Sequence, residues 1–238
     1  MSTAKNKKLL IFGARGAIGG AVGGLFVERR WDVAATTRKL EGKGGAASGL
    51  IQFDPFGQID VESVHASGPY DAVCWAQGAN ASDNIYTVDQ ERHLELYRAN
   101  CLFPVLSLKW LLAEHLLVRG SRLCVVSSIW QNLARQDKLS YCMTKSALQG
   151  FVLSAATDLA KDEHLVNAIL PGPLDTPMTR ENLKPDQLER IIAATKFNRL
   201  SQLEDVARLA YFLCSDDNTG ITGQFIAADL GFSRVRLI

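Results

Sequence analysis

"KLLIFGARGAIGGAVGGLFVERRWDVAATTR", residues 8–38, decides the fold. A short β-rich run at 8–13 stops on Gly13. Residues 17–30 then carry apolar side chains at helical spacing, and 31–38 return to a strand-like run that ends in Thr36, Thr37 and Arg38. Strand, glycine turn, helix and strand in so short a span predict a βαβ unit with parallel strands. Gly13, Gly16 and Gly19 stand in the turn. Glycine there lets backbone N–H groups approach a bound anion, and the helix N-terminus behind them adds partial positive charge. Gly20, Gly23 and Gly24 are expected mainly to bring the helix close to the sheet. The turn suits the pyrophosphate of a dinucleotide; it also suits close helix–sheet packing alone.

The rest of the chain repeats the rhythm. Strand-like runs recur at 50–54, 70–78, 121–128, 165–173 and 223–229, with helical stretches at about 88–118, 139–162 and 203–214. Strands that read as nearly continuous apolar runs belong to a sheet covered on both faces. The expected fold class is therefore α/β: a single doubly wound Rossmann-type domain over 1–238, with a central parallel sheet and helices on both faces. No internal repeat and no linker divides it. One segment breaks the pattern. "KLEGKGGAASG", 39–49, holds four glycines, each costing a helix about 1 kcal/mol relative to alanine. A loop or single turn is expected where a crossover helix would otherwise stand.

The totals narrow the function. With 238 residues and a net charge of +1, the chain carries no electrostatic footprint for nucleic acid or a membrane surface. No apolar run is long enough to span a bilayer, and the N-terminal "LLIF" is too short for a signal peptide. The five cysteines are scattered without a CxxC pair, and the four histidines lack ligand spacing. Neither a disulfide framework nor a metal site is expected, and the compartment that fits is the cytoplasm.

The end of the second strand speaks to the cofactor. Many dinucleotide sites place a carboxylate there for the ribose 2′-hydroxyl. Here the position is Thr37, followed by Arg38, and a guanidinium pairs bidentately with a 2′-phosphate. Arg15, inside the glycine turn, adds a second positive charge. NADP(H) is preferred over NAD(H).

Further on, "LSYCMTKSAL", 139–148, places Tyr141 and Lys145 four residues apart on a helical stretch, and so on one face. They read as a surface pair or as a proton-transfer site. With "GARGAIG" at 13–19, Asp54 after the third strand, Asn100 in the long helix, Ser128 ending a strand, "YCMTK" at 141–145, "PGPLDT" at 171–176 and the tail of 205–231, the chain resembles the short-chain dehydrogenase/reductase family over nearly its whole length. A serine thirteen residues before the tyrosine and a Pro-Gly thirty after it make the resemblance specific.

The resemblance implies a small-molecule carbonyl or alcohol substrate. It makes Tyr141 the catalytic acid/base, Lys145 its electrostatic partner, Ser128 the second donor to the substrate oxygen, and Asn100 the fourth member, holding a water that links the lysine to solvent. It sets Gly13, Ile18 and Gly19 at the pyrophosphate, Asp54 at the adenine, and Pro171, Gly172, Leu174 and Thr176 beside the nicotinamide. An ammonium near Tyr141 is expected to favour the phenolate and lower its pKa. The same likeness implies a homotetramer, or failing that a homodimer.

Four departures stand out. The family's middle glycine is Ala17, after Gly16; its NNAG reads "WAQG" at 75–78, keeping Gly78; a glycine-rich loop follows Arg38; and its late DGG reads "DLG". The first two motivate a second reading, a dinucleotide-binding sensor or partner protein with little turnover. Residues 177–198 carry mixed charge and are expected to cover the substrate as a lid, with Trp130, Gln131 and Asn132 near the same pocket.

Overall fold

The computed structural model describes residues 6–40, 49–176, 179–180, 184–195 and 197–235. Seven strands form one parallel sheet: β1 (Lys8–Phe12), β2 (Asp32–Thr37), β3 (Leu50–Gln52), β4 (Tyr70–Trp75), β5 (Leu117–Val126), β6 (Leu165–Pro171) and β7 (Phe225–Ala228). Their order across the sheet is β3-β2-β1-β4-β5-β6-β7. The chain first builds outward from β1 to β3, then crosses back to β4 on the other side of β1. The crevice between β1 and β4 is the place where open α/β sheets bind ligands.

Alternation along the strands explains the covering helices. Leu10, Phe12, Val73, Trp75, Leu123 and Val125 belong to one core. Leu9, Ile11, Ala72, Cys74, Cys124 and Val126 belong to the other. Successive strand residues face opposite ways, so both faces are apolar and both need a lid of helices. The first core receives Leu108 and Leu111 of α4 (Phe103–Ala113) and Leu148 and Val152 of α5 (Leu139–Asp158). The second receives Val22 and Phe26 of α1 (Ala17–Glu28) and Val206, Ala210 and Leu213 of the late helix Leu203–Cys214. Burying one such side chain contributes roughly 1.5–3 kcal/mol. All five cysteines are free thiols, and Cys74, Cys124 and Cys214 serve this core as small hydrophobes.

The expected helix at 88–118 is two helices. α3 (Gln90–Tyr97) passes through one π-type turn, Arg98–Leu102, into α4, which ends at Ala113. Pro104 gives the reason: it has no N–H to offer the carbonyl of Asn100 one turn earlier. β5 accordingly starts at Leu117, before the expected 121, and its pairing with β4 slips between Tyr70 and Ala72. A short helix that the periodicity did not signal, α2 (Val61–Ser67), is capped by the Asp60 carboxylate, which accepts the Ser63 N–H at 3.1 Å. The glycine-rich loop at 41–48 lies outside the described residues.

Within the expected lid, residues 177–178, 181–183 and 196 lie outside the described residues. The remainder contains helix α6 (Pro185–Ala193). The excursion leaves and returns at one point, where Leu174 bridges Ser201 and the Asp175 N–H reaches the Ser201 carbonyl at 2.8 Å. The late helix Leu203–Cys214 is α7. Among the described residues, no helix is long and apolar enough to cross a membrane.

Candidate active site

The first wall is the glycine turn. Gly13 has φ +81°, and a Cβ on it would sit 2.6 Å from the Gln77 backbone nitrogen. A Cβ on Gly19 would sit 2.1 Å from the Gly13 carbonyl. The turn is closed by the Gly16 N–H donating to that carbonyl at 2.9 Å. Gly16 is the N-cap of α1, extended and without a side-chain cap, and Ala17 is already the first helical residue. Alanine in place of the family's glycine therefore costs nothing here, since Ala is the best helix former.

The uncapped end of α1 opens on a cleft of about 240 Å³ lined by Gly13, Arg15, Gly16, Thr37, Arg38 and Gly78. Gln77 lines it too, and its buried Oε1 has no hydrogen-bond partner. Close backbone, free N–H groups, two arginines and an orphan acceptor fit a dinucleotide. Arg38 also lines an adjoining cleft of about 430 Å³ with Asp54 and Phe56. There the Asp54 carboxylate accepts the Phe56 N–H at 3.1 Å, and Arg98 lies 4.7 Å from the Phe56 ring centre. Thr37 Oγ1 donates to the Lys39 carbonyl at 3.0 Å.

The second wall is built where β5 ends against α5. Lys145 is buried, and its ammonium donates to the Val126 carbonyl at 3.0 Å. It stands 5.7 Å from the Tyr141 ring centre. Ser128, just past β5, accepts the Trp130 N–H at 3.3 Å and sits beside the Tyr141 hydroxyl. Ser127 lines the site as well, and its hydroxyl donates to Gln131 Oε1 at 2.8 Å. Asn100 lies in the π-type turn. Its Oδ1 accepts the Ala79 N–H at 2.7 Å, and its Nδ2 donates to the Ala79 carbonyl at 3.0 Å and to Thr144 Oγ1 at 2.9 Å. The side chain is fully committed to Ala79 and Thr144, and Pro104 leaves the Asn100 backbone carbonyl without its α-helical donor. A Cβ on Gly78 would lie 3.2 Å from Asn100 Oδ1 and 3.6 Å from Lys145 Nζ. In "WAQG" the glycine is thus kept where it touches the site. Trp75 instead fills the core, its indole N–H on Ser107 Oγ at 2.8 Å.

The electrostatics differ from expectation. Burial pushes the Tyr141 hydroxyl above its ordinary value, and the neighbouring Ser128 hydroxyl pulls it back in part. Desolvation sets this direction, opposite to the lowering that a nearby ammonium implies. Burial also pulls Lys145 down to about 8, opposed weakly by Cys101.

The third wall follows β6. A Cβ on Gly172 would lie 2.6 Å from Asp229 Cβ, so the chain there passes tightly beneath the turn after β7. In that turn "DLG" places Leu230 at φ +54°, a left-handed conformation that glycine adopts freely and leucine does not. Pro171, Gly172, Leu174 and Thr176 join Ile18, Ser128 and Tyr141 around a cavity of about 520 Å³. The structure thus brings the tyrosine, lysine and serine together, holds the asparagine behind them, and places the glycine turn, Arg15 and Arg38 along one edge. Sequence reading passed over Asn80, Arg135 and Lys138, which line the same cavity; Thr179, of the expected lid, lines it too. The one signal for the two cations was the stretch "ARQDK", 134–138, between Ser128 and Tyr141.

A family model described as "Enoyl-(Acyl carrier protein) reductase" matches residues 55–233. "Uncharacterized oxidoreductase YmfI" of Bacillus subtilis (strain 168) is 27% identical over 240 residues, covering 95% of this chain and 99% of that protein. "L-rhamnose 1-dehydrogenase (NADP(+))" of Thermoplasma acidophilum is 38% identical over 113 residues, covering 47% of this chain and 44% of that one. Among solved structures, "ElxO with NADP Bound" superposes with a TM-score of 0.83 at 23% identity, covering 96% of this chain and 99% of that one.

Proposed function

The chain belongs to the short-chain dehydrogenase/reductase family, and from that footing we propose that it is an NADP(H)-dependent oxidoreductase acting on a carbonyl or secondary alcohol. The observation that carries the proposal is the buried Lys145 ammonium beside Tyr141, with Ser128 against the tyrosine hydroxyl. NADPH, when bound, supplies the hydride. Tyr141 gives the hydroxyl proton to the substrate oxygen in reduction and takes it back in oxidation. Ser128 donates a hydrogen bond to the same oxygen as negative charge develops. Lys145, fixed by the Val126 carbonyl, stabilises the phenolate that proton loss leaves. Asn100 holds Ala79, and with it Gly78, against the lysine.

Gly13, Gly16, Ile18 and Gly19 hold the pyrophosphate at the start of α1. Arg38 with Arg15 takes the 2′-phosphate, with Thr37 supplying no competing charge, and Asp54 borders the adenine. The name of the Thermoplasma relative and the ligand of the ElxO structure support NADP(H). Pro171, Gly172, Leu174 and Thr176 line the nicotinamide side, and the described part of the 177–198 stretch, with helix α6, covers the substrate. The protein works as a homo-oligomer in a reducing cytoplasm, which suits five free thiols.

Tyr141→Phe tests the reading. NADPH binding, followed by its fluorescence, should persist, and NADPH consumption across a ketone panel should fall by roughly 10²–10⁴-fold, the scale of a lost acid/base. A Phe variant that kept most of its rate would remove Tyr141 from the chemistry. NADPH binding by the parent with no turnover across the panel would favour the sensor reading, which the altered "WAQG" motivates.

A further inference from the structure

Two cations stand in the wall of the cavity that holds Ser128 and Tyr141. Among the described residues, Arg135 and Lys138 are the only charged side chains lining it. Both also line a second, outer cavity of about 910 Å³, together with Trp130. The three residues therefore form the neck between the two spaces.

The cations are presented rather than neutralised. Lys138 is half-buried, and its ammonium is held by three uncharged oxygens: Asn80 Oδ1 at 3.1 Å, the Ala81 carbonyl at 3.0 Å and Ser82 Oγ at 3.0 Å. Arg135 lies with its guanidinium carbon 5.8 Å from the Trp130 ring centre. Among the described residues neither forms an ion pair with a carboxylate. The nearby acids are engaged elsewhere: Asp83 by Ser140 and Asp137 by Asn84. Burial and the neighbouring Arg135 charge both push Lys138 below its ordinary value, against a partial pull from Asp83, Cys142 and Asp137. Like charges set side by side in a partly desolvated wall repel each other, and an anion between them relieves that repulsion.

We propose that the substrate carries an anionic group, a carboxylate or a phosphate, which Arg135 binds at the neck of the cavity and the Lys138 charge attracts, while its carbonyl or hydroxyl meets Ser128 and Tyr141. This names the substrate class and rests on the oxidoreductase reading above. The neutral part of the substrate lies against Trp130, whose other neighbour is Phe232, edge-on at 6.2 Å.

The test uses the full chain with NADP(H) and two matched pairs: 3-oxobutanoate against its methyl ester, and dihydroxyacetone phosphate against dihydroxyacetone. Binding is read by calorimetry and turnover by NADPH oxidation. In at least one pair the anion should bind about tenfold or more tightly than its neutral partner, a difference of about 1.4 kcal/mol, and which pair shows it separates carboxylate from phosphate. Arg135 is exposed, so Arg135→Ala should fold; it should erase the preference, and Arg135→Glu should reverse it, both with NADPH affinity retained. Absence of an anion preference in both pairs overturns the proposal, as does a preference that survives in Arg135→Ala. A loss of NADPH affinity parallel to the loss of anion binding also overturns it, since the cations would then serve the cofactor. Anion binding that depends on Arg135 without turnover would leave the charge assignment standing and sink the oxidoreductase reading. Turnover of charged and neutral partners with equal KM would do the reverse.

Discussion

Single residues set the pH behaviour. Lys145 titrates at about 8 in the folded protein against 10.5 for an ordinary lysine. Ketone reduction needs the ammonium charged and the Tyr141 proton in place, so kcat/KM for NADPH, which reports groups of the free protein, should be flat below about pH 8 and fall about tenfold per pH unit above it. A profile flat to pH 9 would show that Lys145 carries no such role. The same shift bears on stability with a definite sign. Between about 8 and 10.5 the unfolded chain holds the extra proton, so folding stability rises with pH through this window. Relative to Lys145→Met, the parent should gain on the order of 3 kcal/mol across it, measurable by denaturant titration at several pH values. At Arg38 the prediction concerns the cofactor: Arg38→Asp should shift the ratio of NADPH to NADH affinity toward NADH by tenfold or more, the scale of one charge-assisted bidentate contact. Equal affinities in the parent would count against Arg38. The residue types were legible in the sequence at these positions, and the four-residue spacing puts Tyr141 and Lys145 on one face of α5. The direction of the Tyr141 shift was not legible, because desolvation depends on everything packed around the ring.

At the scale of elements, α5 has an unusual beginning. Its N-cap, Lys138, gives no side-chain cap. The first turn is held instead from the loop after β4: the Leu139 N–H donates to the Asp83 carbonyl at 3.1 Å, the Ser140 N–H to Asp83 Oδ1 at 3.0 Å, and the Ser140 hydroxyl to Asp83 Oδ2. With its one hydrogen given to Asp83, Ser140 accepts from His93 Nδ1 of α3 at 2.8 Å. Asp83 is thus the negative charge that a helix N-terminus favours, supplied from elsewhere in the chain, and Tyr141 follows it by a single residue. Asp83→Ala leaves the buried Ser140 N–H without a partner and its hydroxyl with His93 alone, a loss of roughly 1–3 kcal/mol. It should lower kcat more than it raises KM for NADPH, whose turn lies across the sheet. A stable variant with parental kcat would show that Tyr141 needs no such anchor. No local pattern announces a cap that arrives from more than fifty residues away in sequence, which is why periodicity located α5 but not what starts it. The π-type turn at Asn100 was hidden for a related reason. Pro104 was visible in the middle of the expected stretch 88–118, but the apolar spacing runs through it, and only the structure shows two helices joined just before it.

For the whole molecule, the alternation of apolar strands and helices carried the doubly wound fold almost complete, because burial on both faces leaves a parallel sheet few other patterns. The order β3-β2-β1-β4-β5-β6-β7 then gathers the glycine turn, Arg38, Ser128 and Gly172 at strand ends that are far apart in the chain. What sequence leaves open is the outward surface of the helices, where no internal packing constrains the residue. Gly150 lies there, in the middle of the twenty-residue α5, exposed, and a Cβ on it would meet nothing within 4 Å. Glycine in a helix interior costs about 1 kcal/mol relative to alanine, and no contact among the described residues offsets it. The surface around it is apolar: Tyr97, Val105 and Phe151 line a groove of about 620 Å³ between α4 and α5, with Ala147 and Ser154 beside Gly150. Close approach of a second copy's helix would account for both the glycine and the groove. Light scattering should therefore find the parent larger than a monomer, and Gly150→Leu should convert it to a smaller species with its NADPH site intact. If the parent is monomeric, or if Gly150→Leu leaves its mass unchanged, α5 is not the contact. In a monomer Gly150→Ala would simply raise stability by up to about 1 kcal/mol, whereas in an assembly packed through this face any such gain would be offset by weaker association at low protein concentration.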